Sequence, residues 1–438
     1  MKPAANNTKE SSKTTLVSLW REFIPLSLSD VTMACGDPLI STTLAHLPFA
    51  RINLAAIGVA KALAVFFESP IITILHTSNA LAPTKKSRHA LWQFTLLAGG
   101  SLTLLLALLT LPSVFAAIGG RLLGVPKEIA GTVRHVLMLM VLWPLAIGWR
   151  RYFQGLLIYN GYARAIANAS IARLAVMGAV LAVGFATGMP GALLAGFTLI
   201  VGVLVEAILV TLAAQRLGAT RQPLLEDSPK LPDDLPSVWR FYWPLASSML
   251  LVWGGRAILV GIIARADDAD IALAAWPAAW GLVLVIANAT RMVQQVIIRN
   301  RGQVEDRLLI VFALTVGGLC SLLLLLAGST AFGEKLVESF VGGDRALVER
   351  VRPVLLVCSP IPLLVALQNA IQGFFVGEGR TVGVTRATSV GTAVLLISAF
   401  LAVQAGMNGT ISAAIAMLAS LVTEITCLAI NQWTLRQA

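Results

Sequence analysis

Twelve stretches of this chain are each long and apolar enough to cross a bilayer, which leaves few folds open to it. A spanning helix needs about 20 mostly apolar residues, because each adds about 1.5 Å along the axis. Segments meeting that condition fall near 17–44, 52–82, 90–119, 131–159, 163–187, 190–215, 238–265, 270–298, 307–332, 350–376, 382–404 and 409–434. Only 13% of the residues are charged against 57% hydrophobic, roughly half the charge of a soluble domain. The expected fold class is an all-α integral membrane protein of twelve transmembrane helices, with the lipid bilayer as its main partner.

The net charge of +11 does not point to nucleic acid, because Lys and Arg fall between the apolar blocks instead of forming one basic face. Their distribution sets orientation. The even-numbered loops and both tails carry 15 of them, including Lys85, Lys86, Arg88, Arg299, Arg301 and Arg380. The odd loops carry 6: Arg51, Arg121, Lys127, Lys335, Arg345 and Arg350. The positive-inside rule then puts both termini in the cytoplasm of a multi-pass plasma (inner) membrane protein. Residues 1–15 are polar with no apolar core, so they read as a disordered cytoplasmic tail and not as a cleavable signal.

No G-x-x-x-x-G-K-[ST], HExxH or GxSxG occurs, and His46, His76, His89 and His135 do not cluster. Cys35, Cys320, Cys358 and Cys427 lie far apart in apolar runs and read as buried free thiols. No enzyme, cofactor or metal centre is expected. A driving force for any movement of solute must then come from an ion gradient or from the solute itself.

Residues 217–237 hold four prolines and four acids, the mark of an irregular cytoplasmic linker, and they sit almost at the midpoint. On either side the sequence repeats. A shift of 219 lays Trp20-Arg21 on Trp239-Arg240 and Pro25-Leu26 on Pro244-Leu245. A shift of 218 lays Pro144-Leu145 on Pro362-Leu363, Gln154-Gly155 on Gln372-Gly373, Gly161 on Gly379, Gly188-Met189 on Gly406-Met407 and Glu206 on Glu424. Residues 16–216 and 238–438 are thus read as two six-helix bundles. An even number of spans per bundle makes them parallel repeats, with a site expected near the midplane between them. Pro25, Pro70, Pro144, Pro244, Pro277 and Pro362 lie inside spans and are expected to kink them.

A charge at the bilayer centre costs at least about 2.5–3.5 kcal/mol, so each deep one needs a partner or a watery cavity. Asp30 and Asp37 share a helix face two turns apart, and Lys61 and Glu68 repeat that spacing on the next span. Arg150, Arg151 and Gln154 have the polar repeat-mates Gln368, Asn369 and Gln372, so one face stays polar in both bundles. Asn288, Arg291 and Gln295 form a second polar stripe, and Arg256 is another deep cation, aligned with Asp37. Arg offers a planar fork for carboxylate and phosphate oxygens. Substrate-binding candidates are therefore Arg150, Arg151, Arg256, Arg291, Lys61, Gln154 and Gln372. Ion-coupling candidates are Asp37 first, then Asp30 and Glu68. The bland alternative is that these charges pair to lock helices together. Arg164 and Arg173 are expected to snorkel to the headgroups, and Glu206 and Glu424 to close helix ends structurally.

The first span FIPLSLSDVTMACGDPLIS (Phe23 to Ser41), FFESP (Phe66 to Pro70), FYWPL (Phe241 to Leu245) with Arg256, and LASLVTEIT (Leu418 to Thr426) carry a family likeness. They resemble the MOP flippase and exporter superfamily, which includes MATE drug exporters and lipid-linked oligosaccharide flippases. Within it the chain resembles the progressive ankylosis (ANK) family. The resemblance implies a MATE-like fold and export of pyrophosphate, nucleotide or a small organic polyanion such as citrate. It matches Asp37, Arg256 and Glu424 to an acid, an arginine and a glutamate of the family, while Lys61, Glu68 and the Arg150–Arg151 pair lie outside its pattern.

The expected function is that of a monomeric secondary transporter, exporting a small organic or phosphate-bearing anion by alternating access. A proton or sodium ion would couple it. The rivals are a MATE-type cation/drug antiporter, which needs acids and aromatic walls to dominate the cavity, a flippase for an anionic lipid-linked sugar, and a non-transporting membrane scaffold.

Overall fold

The computed structural model describes residues 15–122, 127–221, 231–263, 265–340 and 345–437. Almost all of the expected tail and the middle of the linker, 222–230, lie outside the described residues. The first lobe comprises α1 (Leu16–Ala34), α2 (Gly36–Ala45), α3 (Ala50–Ile71), α4 (Ile74–Leu81), α5 (Lys85–Leu109), α6 (Pro112–Phe115), α7 (Lys127–Leu139), α8 (Trp143–Tyr159), α9 (Ala163–Ala186) and α10 (Gly191–Arg216). A π-helical turn, Ala116–Leu122, follows α6. The second lobe comprises α11 (Leu235–Ile263), α12 (Ala269–Ala289), α13 (Val293–Asn300), α14 (Asp306–Ser329), α15 (Ala331–Phe340), α16 (Arg345–Cys358), α17 (Ile361–Gly377), α18 (Thr381–Gln404) and α19 (Gly409–Gln437).

Local sequence explains the starts and stops. Thr15 closes a capping box with Ser18 ahead of α1. Asp234 caps the start of α11: the Ser237 hydroxyl donates to its carboxylate, as does the Ser237 backbone N–H at 2.9 Å, and the two bonds, the hydroxyl's first, hold the carboxyl below the ordinary range. Helix ends recur with the repeat. α7 to α9 reappear as α16 to α18 at a shift of 218, residue for residue at both ends of α8 and α9. The four glycines that end them, Gly161, Gly188, Gly379 and Gly406, all have φ between 68° and 81°, the left-handed cap that glycine adopts without strain. Each is followed by the same backward bond, Tyr162 N to Leu157 O at 2.9 Å and Arg380 N to Phe375 O at 2.8 Å, Met189 N to Gly184 O at 3.0 Å and Met407 N to Ala402 O at 3.1 Å.

Ten helical runs of the described residues are long and apolar enough to cross a membrane, eleven if α16 and α17, bent by 40°, count as one span. The place of the remaining expected span is held by α1 and α2, which break at Cys35. Proline acts in two ways. Pro144 and Pro362 open the first turn of α8 and α17, where the missing N–H costs nothing. Pro25, Pro70, Pro244 and Pro353 lie inside helices. At Pro70 the carbonyl of Phe66 loses its helical donor, and the Ser69 hydroxyl donates to it at 2.8 Å.

Gly155 and Gly373 show why the repeat keeps glycine there. A Cβ at Gly155 would sit 2.4 Å from Ser78 Cβ on α4, and one at Gly373 would sit 3.0 Å from Ile297 Cβ on α13. Each lobe thus packs a broken helix against its neighbour at backbone distance. Gly155→Ala is expected to cost about 1–3 kcal/mol by overpacking, read as a lower melting temperature, whereas Gly58→Ala, with open space around it, leaves melting unchanged.

One hydrophobic core runs through the first lobe and into the linker-side half of the second, joining Leu19, Phe23, Val293, Ile297, Phe312, Phe374 and Val384. The far half of the second lobe has a separate core around Leu259, Trp276, Val351 and Leu421. Among the described residues, the first core joins the lobes near the linker, and the second holds residues of the second lobe alone.

Candidate functional site

α8 carries Arg150, Arg151 and Gln154 into the first lobe, where all three are at most 3% exposed. The residue that receives them is Glu206 on α10, with no exposed surface. Arg150 Nη1 donates to Glu206 Oε2 at 2.5 Å, and Arg173 Nη1, from α9, lies 3.3 Å from the same oxygen. Gln154 Nε2 and Ser170 Oγ donate to Glu206 Oε1, each at 3.0 Å. Because the one proton of Ser170 goes to Glu206, Ser29 of α1 must be the donor across the 2.6 Å Ser29–Ser170 contact. Arg151 Nη1 in turn donates to Gln154 Oε1 at 3.1 Å. Asp30 and Glu68 both act electrostatically on Arg151, and Glu68 Oε2 accepts from Trp143 Nε1 at 2.9 Å.

This corrects two expectations. Arg173 does not snorkel; it is buried on Glu206. Arg150, expected to bind substrate, is 1% exposed, its guanidinium taken up by Glu206 and by the Met33 sulfur at 3.4 Å. The surplus of deep cations also shrinks. Arg150, Arg151 and Arg173 are set among Glu206, Asp30 and Glu68, three charges of each sign.

The second lobe is different. Arg256 on α11 lies over the rings of Trp253 and Trp280, 5.5 Å from each centroid, which holds the guanidinium in place. Its electrostatic neighbour is Arg291, which is exposed at the break between α12 and α13 and also acts on His76 of α4, as does Arg151. No described acid pairs with Arg256 or Arg291. Sequence reasoning brought Arg256 and Arg291 forward and missed His76, Ser170 and the tryptophans. Lys61 and Glu68 are half-buried on α3, Asp30 is buried on α1, and Gln372 is half-buried on α17 beside Glu424, apart from the arginine set. The backbone of Asp37 lies in α2, and its side chain is outside the described residues.

Polar bonds between the lobes gather on the linker side. Arg299 Nη1 pairs with Glu22 at 2.5 Å, and its Nε donates to Tyr159 O at 3.1 Å. Asn300 Nδ2 donates to Glu22 at 3.1 Å, and Asn79 Nδ2 to Gln295 Oε1 at 3.0 Å. Tyr242 OH donates to Pro70 O at 2.5 Å. At the far end the bonds stay within a lobe: Asn53 Oδ1 accepts from Ala192 N, and Asp268 accepts from Gly409 N and Arg350. Among the described residues, the polar bonds that join the lobes thus lie on the linker side. Exchanging both Glu22 and Arg299 for Ala is expected to widen the distance distribution between spin labels on the linker-side ends of α1 and α14; an unchanged distribution would show that apolar packing alone holds the lobes together there. An apolar groove of about 330 Å³ lies in the first lobe between α8 and α10, lined by Leu142, Trp149, Leu204 and Thr211, away from these inter-lobe bonds.

The two bundles of repeated, broken helices share the fold of solved transporters of the MOP superfamily and its MATE family. The chain matches a MOP superfamily transporter from Pyrococcus furiosus with a TM-score of 0.79 and 14% identity, over 99% of this chain and 98% of that one. It matches an outward-facing MATE family multidrug resistance transporter at 0.80 and 14%, over 99% of both chains. The eukaryotic MATE transporter AtDTX14 follows at 0.75 and 14%, over 95% of each. No protein-family model matches the chain, and no curated protein matches it in sequence.

Proposed function

We propose that the chain is a secondary transporter that moves a small phosphate-bearing or carboxylate anion between its two lobes by alternating access. The observation that carries this reading is the pair Arg256 and Arg291, which act on each other with no described acid beside them, while the arginines of the first lobe are balanced by carboxylates. Two guanidinium groups that repel one another gain when an anion sits between them, and their forks suit phosphate and carboxylate oxygens. The similar Pyrococcus furiosus transporter is described as having a binding pocket of reverse polarity that suggests a different function, and the motifs resembling the ANK family point to pyrophosphate, nucleotide or citrate. The Lys and Arg distribution supports a topology with both termini in the cytoplasm.

One observation favours a second reading. Trp253, Trp276 and Trp280 form an aromatic wall in the second lobe, with Trp276 and Trp280 stacked at 5.4 Å, and such walls hold flat cations in drug antiporters. Uptake into proteoliposomes separates the two. Pyrophosphate, citrate or ATP should enter and cationic dyes should not; movement of dyes alone would reject the anion.

A further inference from the structure

Glu206 and Glu424 are related by the repeat, yet the two lobes surround them differently. Around Glu206 stand two arginines, a glutamine and a serine. Around Glu424 on α19, Gln372 Nε2 and Thr388 Oγ1 donate to Oε1 at 3.0 and 2.8 Å, and Gln368 also bonds to the carboxylate. A shift of 218 makes Gln372 the mate of Gln154, Thr388 of Ser170 and Gln368 of Arg150. The mate of Arg173 is Gly391, where a Cβ would lie 3.2 Å from Glu424 Cβ and 3.4 Å from its Oε2. The second lobe keeps the carboxylate and its neutral donors and has replaced both cations.

Among the described residues, no other charge takes their place. The helices packed on α19 are α11, α12, α16, α17 and α18. Among their described residues, Arg256 lies over Trp253 and Trp280, Arg345 pairs with Glu349, Arg350 with Asp268 and Arg352 with Glu334. Glu378, which caps α17, pairs with Arg301 and Arg380, while Arg240 and Arg386 are exposed. Glu424 is 5% exposed and lies 15 residues into α19, about 22 Å from its start, deep in the span.

We propose that Glu424 is the proton-coupling carboxylate of this transporter, binding one proton in one conformation and giving it up in the other. The proposal rests on the transporter reading above and assigns its coupling ion. A lone carboxylate in hydrocarbon is costly while charged, and a proton removes that charge. With the proton on Oε2, Oε1 still accepts from Gln372 and Thr388, so the hydrogen bonds survive both states. One O–H bond forms as a hydronium ion on one side gives up its proton, and the same bond breaks to water on the other; no electrons change hands. Glu206 is unsuited to this task, because protonating it would strand Arg150 and Arg173 without an anion. Half-buried Gln368 and Gln372 connect Glu424 to the less enclosed face of α17.

Infrared difference spectroscopy of the full chain in nanodiscs, with pH stepped from acidic to alkaline, tests the site without any substrate. The carbonyl band of a protonated carboxyl should titrate in the wild type, vanish in Glu424→Gln and reappear shifted in Glu424→Asp. A band that persists in Glu424→Gln, one that ignores pH, or one displaced by sodium at fixed pH would overturn the proposal. In proteoliposomes, one coupled proton and a gradient of one pH unit give about tenfold accumulation of pyrophosphate. Glu424→Gln should abolish that accumulation while pyrophosphate still exchanges across the membrane; tenfold accumulation retained in the variant would refute coupling. If no anion moves in the wild type, the transport reading fails and the infrared band still decides the site.

Discussion

Glu206→Gln is expected to destabilise the protein by about 3–5 kcal/mol, the cost of removing one partner from a buried charge pair. The substitution keeps the shape of the side chain and deletes only its charge. Arg150 and Arg173 would then face each other across an amide, deep in the first lobe, with the Nε atoms of both already lacking partners. The loss appears as a lower melting temperature in nanodiscs. Adding Arg150→Gln and Arg173→Gly to Glu206→Gln removes the stranded cations and imitates the neutral surroundings of Glu424, so part of the stability should return. If Glu206→Gln melts like the wild type, the four-way cluster does not hold α8, α9 and α10 together.

That cluster also shows where sequence reasoning reaches and where it stops. The spans and the repeat, with its aligned glycines, could be read from period and offset, because they depend on residues near in sequence or related by a constant shift. The polar face of Arg150, Arg151 and Gln154 was legible for the same reason, since Gln368, Asn369 and Gln372 mirror it. Its partner was not. Glu206 lies two helices later, and the turn of α10 that aims its carboxylate at Arg150 is fixed only by packing. A lone Arg on an apolar helix can either snorkel or find an acid, and nothing near Arg173 in sequence chooses between these. Setting Glu206 aside as structural therefore overstated the surplus of cations in the first lobe. The repeat did hold one unused signal: Ser170 aligns with Thr388, and both donate to the symmetric glutamates. Glu22 and Arg299, which join the lobes, lie in different halves of the sequence, and only the folded contact between the lobes reveals them.

In the anion transporter proposed above, the charge balance of the first lobe shifts the weight of recognition to the second, and Arg291→Gln should show it. A hydrogen bond to a charged group is worth about 1.5–3 kcal/mol, so loss of the Arg291 fork should weaken pyrophosphate uptake about tenfold to a hundredfold, mainly through KM. Arg291 is exposed and unpaired by any described acid, so its replacement strands no buried charge and the melting temperature should hold. Arg256→Gln should cost more, because Trp253 and Trp280 pre-set its guanidinium and less ordering is needed when the anion arrives. Arg150→Gln serves as the contrast. Its effect should fall on stability, since its donors are already committed to Glu206. Uptake that is indifferent to Arg291 and Arg256, with the loss appearing at Arg150 instead, would mean that the Arg150–Glu206 pair opens during the cycle and that the first lobe holds the anion.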